Sequence, residues 1–93
     1  MEWQYEQGRV FSLNDKKELI AETIYFINKL GEMVIRRTFV NETMRGQGIA
    51  SVMMGVVAEY ARGKSLKIRP ACSYAKHWLE QNNDLYADII ASL

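Results

Sequence analysis

The hydrophobic pattern of the chain changes from that of a strand to that of a helix at Arg45-Gly46-Gln47-Gly48-Ile49-Ala50. On the N-terminal side, β-branched and aromatic residues dominate segments 9–13, 18–28 and 33–40. These segments predict three antiparallel strands in a meander. On the C-terminal side, apolar residues recur at helical spacing from Ile49 to Tyr60, which predicts an amphipathic helix with one buried stripe.

The segments beyond this helix predict a second kind of strand pairing. The helix is expected to end at Gly63 in a left-handed cap, and a short strand follows at residues 66–69. A strand, a helix and a strand in one unit imply a right-handed crossover and a parallel pairing of the fourth strand with the third. Segments 74–81 and 84–91 have the pattern of short helices on either side of Asn82-Asn83. The predicted fold class is α/β of the α+β type, with a mixed, mostly antiparallel sheet and a β-α-β crossover.

Length and composition predict a single domain over residues 1–93. The 93 residues are 48% hydrophobic and 25% charged, as in ordinary globular domains. The longest uncharged apolar stretch, 49–58, is far shorter than a membrane span, and the N-terminus lacks the pattern of a secretory signal. A cytoplasmic location and no membrane partner are therefore expected. The sequence contains one cysteine and one histidine, which exclude an internal disulfide and leave too few ligands for structural zinc.

Charge is distributed unevenly along the chain, although the formal net charge is only +1. Residues 36–76 carry eight basic and two acidic side chains, whereas the segments on either side are net acidic. An electropositive middle segment favours an anionic ligand or partner. A solvated basic face is the alternative explanation.

The glycine-rich loop has the chemistry of a pyrophosphate site. Glycines let the backbone turn without obstruction by Cβ, and the first N–H groups of the following helix have no partner within the helix. These N–H groups and the positive end of the helix dipole favour a phosphate there. The alternative is that Gly46 and Gly48 only make a tight connection between strand and helix.

Two other nucleotide-binding motifs do not match. The dinucleotide fingerprint lacks its third small residue, because Ser51 stands there, and no acidic residue follows at the expected distance. Gly63-Lys64-Ser65 is similar to the end of a phosphate-binding loop, but it lies at the end of a helix and not before one. We interpret it as a cap and a turn.

The loop also resembles that of a known family. Arg45-x-x-Gly48-x-Ala50 matches the Q/R-x-x-G-x-G/A loop of the GCN5-related N-acetyltransferases. The order of strand, loop, helix and strand, followed by Pro70-Ala71-Cys72-Ser73, is similar to that of the small single-domain branch of this superfamily. The resemblance covers residues 9–88 and implies the acyl-coenzyme A acyltransferase fold, in which the third and fourth strands splay apart.

The resemblance implies where acetyl-coenzyme A would bind. Backbone N–H groups of the loop bind the pyrophosphate in this family, and the matching residues here are Gln47, Gly48, Ile49 and Ala50. The turn itself is shaped by Arg45 and Gly46. The backbone of the preceding strand pairs with the pantetheine arm, and the matching residues are Thr38, Phe39 and Val40. The thioester enters the gap between the splayed strands, which implies that Cys72 lies near the acyl carbon.

Cys72 has three possible roles. As a thiolate, stabilised by Arg69, Lys76 or a helix N-terminus, it would attack the thioester and hold the acetyl group transiently. It would otherwise line the pocket while the amine attacks directly, which is the common route in the family. A lone cysteine can also be a buried structural thiol.

The sequence departs from the family at the positions where small members usually carry histidine. Arg37 precedes Thr38, and Asn82-Asn83 stands where a His-Pro pair often occurs. A histidine is the natural general base near neutral pH, so base catalysis needs another group. The remaining candidates for the base are Glu22 and Glu42. Tyr74 is a candidate acid for the departing thiolate, and His77 is assigned a surface or packing role rather than a catalytic one.

Cations of the middle segment are candidates for the 3′-phosphate of the nucleotide or for an acidic acceptor. They are Arg36, Arg37, Arg62, Lys64, Lys67, Arg69 and Lys76. Lys76 follows Cys72 on the predicted helix and is the preferred phosphate ligand. The other cations are expected to be mostly solvated.

The sequence therefore predicts an N-acetyltransferase that moves acetyl from acetyl-coenzyme A to an amine, either a protein lysine or a small amine. A coenzyme A-binding module without catalysis is the alternative, and nucleic-acid binding is the least favoured. The short chain leaves no room for long helices over the acceptor, so the acceptor side should be open. The identity of the acceptor and the oligomeric state stay undetermined.

Overall fold

The computed structural model describes residues 1–92, which form a five-stranded sheet with helices. The strands are β1 (Gln4–Glu6), β2 (Arg9–Leu13), β3 (Leu19–Ile27), β4 (Glu32–Val40) and β5 (Lys67–Pro70). The helices are α1 (Ile49–Gly63), α2 (Ser73–Gln81) and α3 (Asn83–Tyr86), with 3₁₀ turns at Glu42–Met44 and Ala87–Ile89. The strand order is β1-β2-β3-β4-β5, antiparallel except between β4 and β5.

The predicted meander and the parallel pair are confirmed, and one strand is added. Strands β2, β3 and β4 form the meander, and β5 pairs in parallel with β4 after the α1 crossover. The sequence did not predict β1, whose three residues are all exposed and give no buried pattern. Gly8, with a φ of 86°, makes the tight turn that folds β1 back onto β2.

The predicted left-handed cap at Gly63 is wrong by two residues. Gly63 is still helical, and the left-handed residue is Ser65, with a φ of 58°. The N–H of Leu66 donates to the carbonyl of Ala61 at 2.9 Å, and that of Ser65 donates to the carbonyl of Arg62 at 3.1 Å. These bonds satisfy the last carbonyls of α1, so the helix closes at a serine.

The predicted helix over 84–91 is wrong only at its end. Helix α3 ends at Tyr86, a 3₁₀ turn continues to Ile89, and Ile90 is extended and forms a parallel bridge with Ile68. The N–H of Ala91 donates to the Ile68 carbonyl at 2.7 Å. The free edge of β5 offers unpaired backbone groups, and the end of the chain satisfies them in place of a helix.

Both longer helices pack on one face of the sheet. The largest fully buried side chains of this core come from strands and helices alike: Met33, Ile35, Met53, Met54, Ile68 and Leu79. The indole Nε1 of Trp78 donates to the Ser51 hydroxyl at 2.8 Å and ties α2 to α1. The residues that alternate with the core positions, among them Phe26 and Phe39, lie outside this cluster. We call their side of the sheet the open face.

Strand β4 contains a β-bulge at the point where its pairing with β5 ends. Ile24 pairs with Arg37 whereas Tyr25 pairs with Ile35, so Arg36 is an extra residue in β4. Pairing with β5 ends at the same point, between Ile35 and Pro70. A bulge bends its strand and proline ends a ladder, so residues 36–40 continue without β5 beside them. We call the space between residues 36–40 and the start of α2 the β4–α2 gap.

None of the helices within residues 1–92 combines the length and apolar content that crossing a membrane requires.

Candidate functional site

The loop between β4 and α1 needs glycine for its backbone conformation. Gly46 and Gly48 have φ values of 84° and 75°, which L-residues with a Cβ rarely adopt. A Cβ on either glycine would meet no atom within 4 Å. The glycines are therefore required by the turn and not by crowding, and the space in front of the loop is open to a ligand.

The N-terminus of α1 lacks a side-chain cap. Gly48 occupies the N-cap position, and the first turn carries no acidic residue. The first helical bond runs from the N–H of Val52 to the Gly48 carbonyl at 3.1 Å. The N–H groups of Ile49 and Ala50 precede that bond, so they have no partner within the helix. Together with the helix dipole they favour an anion.

A cleft of about 160 Å³ adjoins this helix start. Its walls combine the end of β4, the loop and α2: Val40, Met44, Arg45, Gly46, Gly48, Ile49, Ala50, Ser51 and Tyr74. Burial raises the pKa of Tyr74 above its ordinary value of 10.0. The phenol therefore stays protonated at neutral pH, as a proton donor must.

The outer half of β4 offers backbone groups to the β4–α2 gap. The N–H of Asn41 donates to the Ile20 carbonyl of β3 at 2.7 Å. Because successive residues of a strand alternate, the backbone groups of Val40 and Thr38 face away from β3, into the gap. The Nε of Arg45 donates to the Val40 carbonyl at 3.1 Å and fixes the loop against the strand.

Phe39 does not offer its backbone groups to the gap, although it was predicted to pair with the pantetheine arm. The same alternation turns its N–H and carbonyl toward β3, where it pairs with Glu22. Its ring lies on the open face, beneath the Arg37 guanidinium at 5.7 Å. Of the three residues predicted from the resemblance, only Thr38 and Val40 have backbone groups available to a ligand in the gap.

Cys72 lies on the opposite side of this gap. It is the N-cap residue of α2, and its Sγ accepts a hydrogen bond from the Ala75 N–H at 3.4 Å. The Thr38 hydroxyl lies 3.9 Å from the same sulfur. The side chain is half-buried. Its thiol therefore contacts both a strand hydroxyl and a helix N-terminus.

A second threonine, which the sequence analysis missed, lies beside Thr38. Thr23 is its cross-strand partner in β3 and is fully buried. Its hydroxyl has no hydrogen-bond partner among residues 1–92. Alternation in β3 places Thr23 on the core face. In β4 the bulge at Arg36 shifts the alternation, so Thr38 faces the same side as Thr23, which local sequence patterns could not predict.

The predicted acid and base candidates are dispersed. Glu22 forms an ion pair with Arg9 at 2.6 Å on the open face. Glu42 is exposed on the 3₁₀ turn, and His77 is exposed on α2, as predicted. Tyr74 is thus the predicted acid–base residue that the structure places beside the loop.

Several predicted phosphate-binding cations have other partners. Arg62 binds Asp88 at 2.7 Å and lowers the pKa of that carboxyl, chiefly through their hydrogen bond. Arg69 binds Glu32 at 2.8 Å, so it does not pair with Cys72 as the sequence suggested, and Lys67 donates to the Asp88 carbonyl. These three cations fasten the C-terminal segment and β4.

The other cations that were predicted to bind phosphate are exposed: Arg36, Arg37, Lys64 and Lys76. Lys76 lies on the first turn of α2, one turn beyond Cys72. No group of three His, Cys, Asp or Glu side chains that could hold a metal ion occurs in the described part of the chain.

Comparisons with known proteins agree with the strand–loop–helix arrangement. A family model described as GCN5-related N-acetyl-transferase matches residues 10–89. The NMR structure of a GCN5-like protein from Staphylococcus aureus, described as a candidate N-acetyltransferase, is similar with a TM-score of 0.76 and 32% identity. That match covers 99% of this chain and 89% of the other.

Longer proteins share the fold at lower identity. A ribosomal-protein-alanine N-acetyltransferase from Brucella melitensis biovar Abortus matches with a TM-score of 0.56 and 22% identity, over 91% of this chain and 63% of the other. An acetyltransferase-like protein from Clostridium acetobutylicum, solved with acetyl-coenzyme A, matches with a TM-score of 0.57 and 16% identity, over 91% and 62%. The present chain thus spans less than two thirds of either protein. No functionally curated protein matches the sequence.

Proposed function

Because this chain belongs to the GCN5-related N-acetyltransferase family and is an acyltransferase, we propose that it transfers acetyl from acetyl-coenzyme A to an amine. The acceptor is a protein lysine or a small amine, and residues 1–93 act as a single minimal acetyltransferase domain. The observation that carries the proposal is the alignment of an uncapped helix start, an unpaired strand edge and a thiol around one gap.

Acetyl-coenzyme A is proposed to lie along the loop and along residues 36–40 of β4. Backbone N–H groups hold the pyrophosphate, and the residues that supply or shape them are Arg45, Gly46, Gln47, Gly48, Ile49 and Ala50. The pantetheine arm follows the free backbone groups of Thr38 and the free N–H of Val40. The exposed Lys76 is the proposed ligand of the 3′-phosphate. This path ends at the β4–α2 gap, where the thioester meets Cys72.

The proposed transfer proceeds through Cys72. Its thiolate attacks the thioester carbonyl carbon, a bond from Sγ to that carbon forms, and the bond from that carbon to the sulfur of coenzyme A breaks. The departing thiolate takes the phenolic proton of Tyr74. A neutral amine then attacks the acetyl-cysteine and releases the Cys72 thiolate, and the amine proton returns to the Tyr74 phenolate. The hydrogen bond from the Ala75 N–H to the Cys72 Sγ at 3.4 Å supports this route, because it places a donor of the helix start on the reacting sulfur.

The test measures free coenzyme A thiol released from acetyl-coenzyme A with a panel of amines that includes peptide lysines. Wild type and His77→Ala, a matched change at an exposed residue of the same helix, should turn over equally. Cys72→Ala should lose at least about 100-fold in rate, and wild type should show an acetyl adduct on Cys72 in intact-mass spectra. A Cys72→Ala rate equal to wild type would assign the transfer to direct attack by the amine. If wild type turns over none of the amines but binds coenzyme A in calorimetry, the protein is a non-catalytic coenzyme A-binding module.

A further inference from the structure

The open face of the sheet carries a cluster of arginine and phenylalanine side chains. Strand register and alternation place the following residues there: Phe11, Ile24, Phe26, Arg36, Arg37 and Phe39. Arg36 lies over the Phe26 ring and Arg37 over the Phe39 ring, each at 5.7 Å. Phe26 is nevertheless 44% exposed. No helix among residues 1–92 covers this cluster, since α1 and α2 both pack against the opposite core.

Two of the cations on this face are uncompensated. Arg9 is neutralised by Glu22 at 2.6 Å and by Glu6 at 3.3 Å. Within the described residues, no carboxylate lies at ion-pair distance from Arg36 or Arg37, and both are exposed. The bulge creates the pair, because the extra residue places consecutive arginines on one side of the strand.

Arg36 and Arg37 begin the part of β4 that borders the β4–α2 gap. Arg37 and Phe39 flank Thr38 in the sequence and face the open side, whereas the Thr38 hydroxyl faces Cys72. A segment bound across Arg36 and Arg37 therefore lies beside the residue, Thr38, whose hydroxyl faces Cys72. An amine carried by that segment would enter from the side opposite the loop and meet the acetyl group.

We propose that the open face docks an acidic polypeptide segment, which presents the acceptor amine to the β4–α2 gap. Carboxylates of the segment pair with the Arg36 and Arg37 guanidinium groups, which their phenylalanine rings hold in place. The proposal rests on the proposed function and gives its acceptor a chemical class: a protein amine flanked by acidic residues.

Single-stranded nucleic acid is a poorer match to this face. Bases bind to sheets by stacking on free aromatic rings, but Phe11 is covered by Arg9 at 3.6 Å, and the other two rings carry their own arginines. Glu6, Glu22 and Glu32 also lie on this side and occupy Arg9 and Arg69, so only Arg36 and Arg37 are left for a phosphate backbone that needs cations along its length. Spaced carboxylates of a peptide can avoid these acids and still reach Arg36 and Arg37.

The test is fluorescence anisotropy with two labelled lysine peptides, one with flanking aspartates and glutamates and one with asparagines and glutamines in their place. The acidic peptide should bind wild type more tightly, and added salt should weaken that binding. The double variant Arg36→Glu/Arg37→Glu should weaken it about tenfold or more. The matched control, Lys16→Glu/Lys64→Glu, changes as much charge at exposed cations elsewhere and should change the affinity less than about twofold.

A third variant, Arg36→Lys/Arg37→Lys, retains the charge but not the stacked guanidinium groups, so it should lose less affinity than the glutamate variant and more than the control. Circular dichroism of each variant checks that a loss of affinity does not come from a folding defect. Equal affinity for both peptides, an equal loss in the control variant, or tighter binding of single-stranded RNA at the same salt would overturn the proposal. Transfer to small amines without preference for the acidic peptide would overturn docking alone. Binding of the acidic peptide without any transfer from acetyl-coenzyme A would instead overturn the proposed function.

Discussion

The sulfur of Cys72 lies 3.9 Å from the hydroxyl oxygen of Thr38, across the gap that opens where β4 parts from β5. The two residues are 34 positions apart, and the crossover through α1 brings them together. Thr38 belongs to the strand edge that is free on this side, and Cys72 caps the next helix. Their contact therefore marks the point where a ligand bound along the strand would meet the thiol.

Replacement of Thr38 by valine is predicted to slow acetyl transfer, because valine has a similar shape but cannot hydrogen-bond to the Cys72 sulfur. One hydrogen bond of about 1 kcal/mol corresponds to a rate loss of roughly five- to tenfold. Thr38→Ser retains the hydroxyl and should recover most of the rate of coenzyme A release. If serine and valine are equally slow, the hydroxyl has no part in the reaction.

Replacement of Gly48 by alanine is predicted to weaken both the fold and donor binding. The φ of 75° strains an L-residue by about 1–2 kcal/mol, and the strain displaces the N–H groups that follow. Calorimetry should show about a tenfold weaker affinity for coenzyme A. Gly55→Ala is the matched control within α1, where a Cβ meets nothing within 4 Å. It should leave the affinity unchanged and raise the unfolding free energy by about 0.5–1 kcal/mol.

Replacement of Glu32 by glutamine is predicted to make the free energy of unfolding less dependent on pH in the acidic range. Hydrogen bonds from Arg69 first and Asn28 second lower the pKa of the Glu32 carboxyl from 4.5 to about 2. A lowered folded-state pKa stabilises the protein fully above pH 4.5, and this contribution is lost as the pH falls toward 2. Urea unfolding should find the variant less stable than wild type at pH 7, with a difference that shrinks between those two values. A difference independent of pH would contradict the role of the ion pair.

Thr23→Val is predicted to stabilise the protein by roughly 1 kcal/mol. The buried hydroxyl of Thr23 has no partner among residues 1–92, and valine fills the same volume without it. Ser12 provides the contrast, because its buried hydroxyl donates to the Glu2 carbonyl at 2.6 Å. Ser12→Ala should destabilise by about 1 kcal/mol in the same urea titration. Loss of stability in both variants would mean that the Thr23 hydroxyl is bonded.

Local sequence patterns were sufficient for most of the fold. The strands of the meander each carry a run of β-branched or aromatic residues, and α1 carries a single apolar stripe, so both could be predicted without tertiary information. Strand β1 could not, because three exposed residues carry no such pattern. The extended end at Ile90 depends on the free edge of β5, which exists only in the assembled sheet.

The candidate site also has a part that local sequence predicts and a part that depends on strand pairing. The loop was located from its glycines and from the change in hydrophobic period, which are local features. The bulge at Arg36 depends on which residues of β3 lie opposite, and it decides that Thr38 faces Cys72 while Arg37 faces the open side. The functional roles of these residues stay predictions.

The most direct test of the donor site is an NMR titration of ¹⁵N-labelled protein with coenzyme A. The largest amide shifts are expected at Gly46–Ala50, with a second group at Thr38 and Val40, and Gly48→Ala should reduce the shifts of both groups at the same coenzyme A concentration. Shifts confined to other residues at saturation, or no shifts at millimolar coenzyme A, would contradict the proposed donor site.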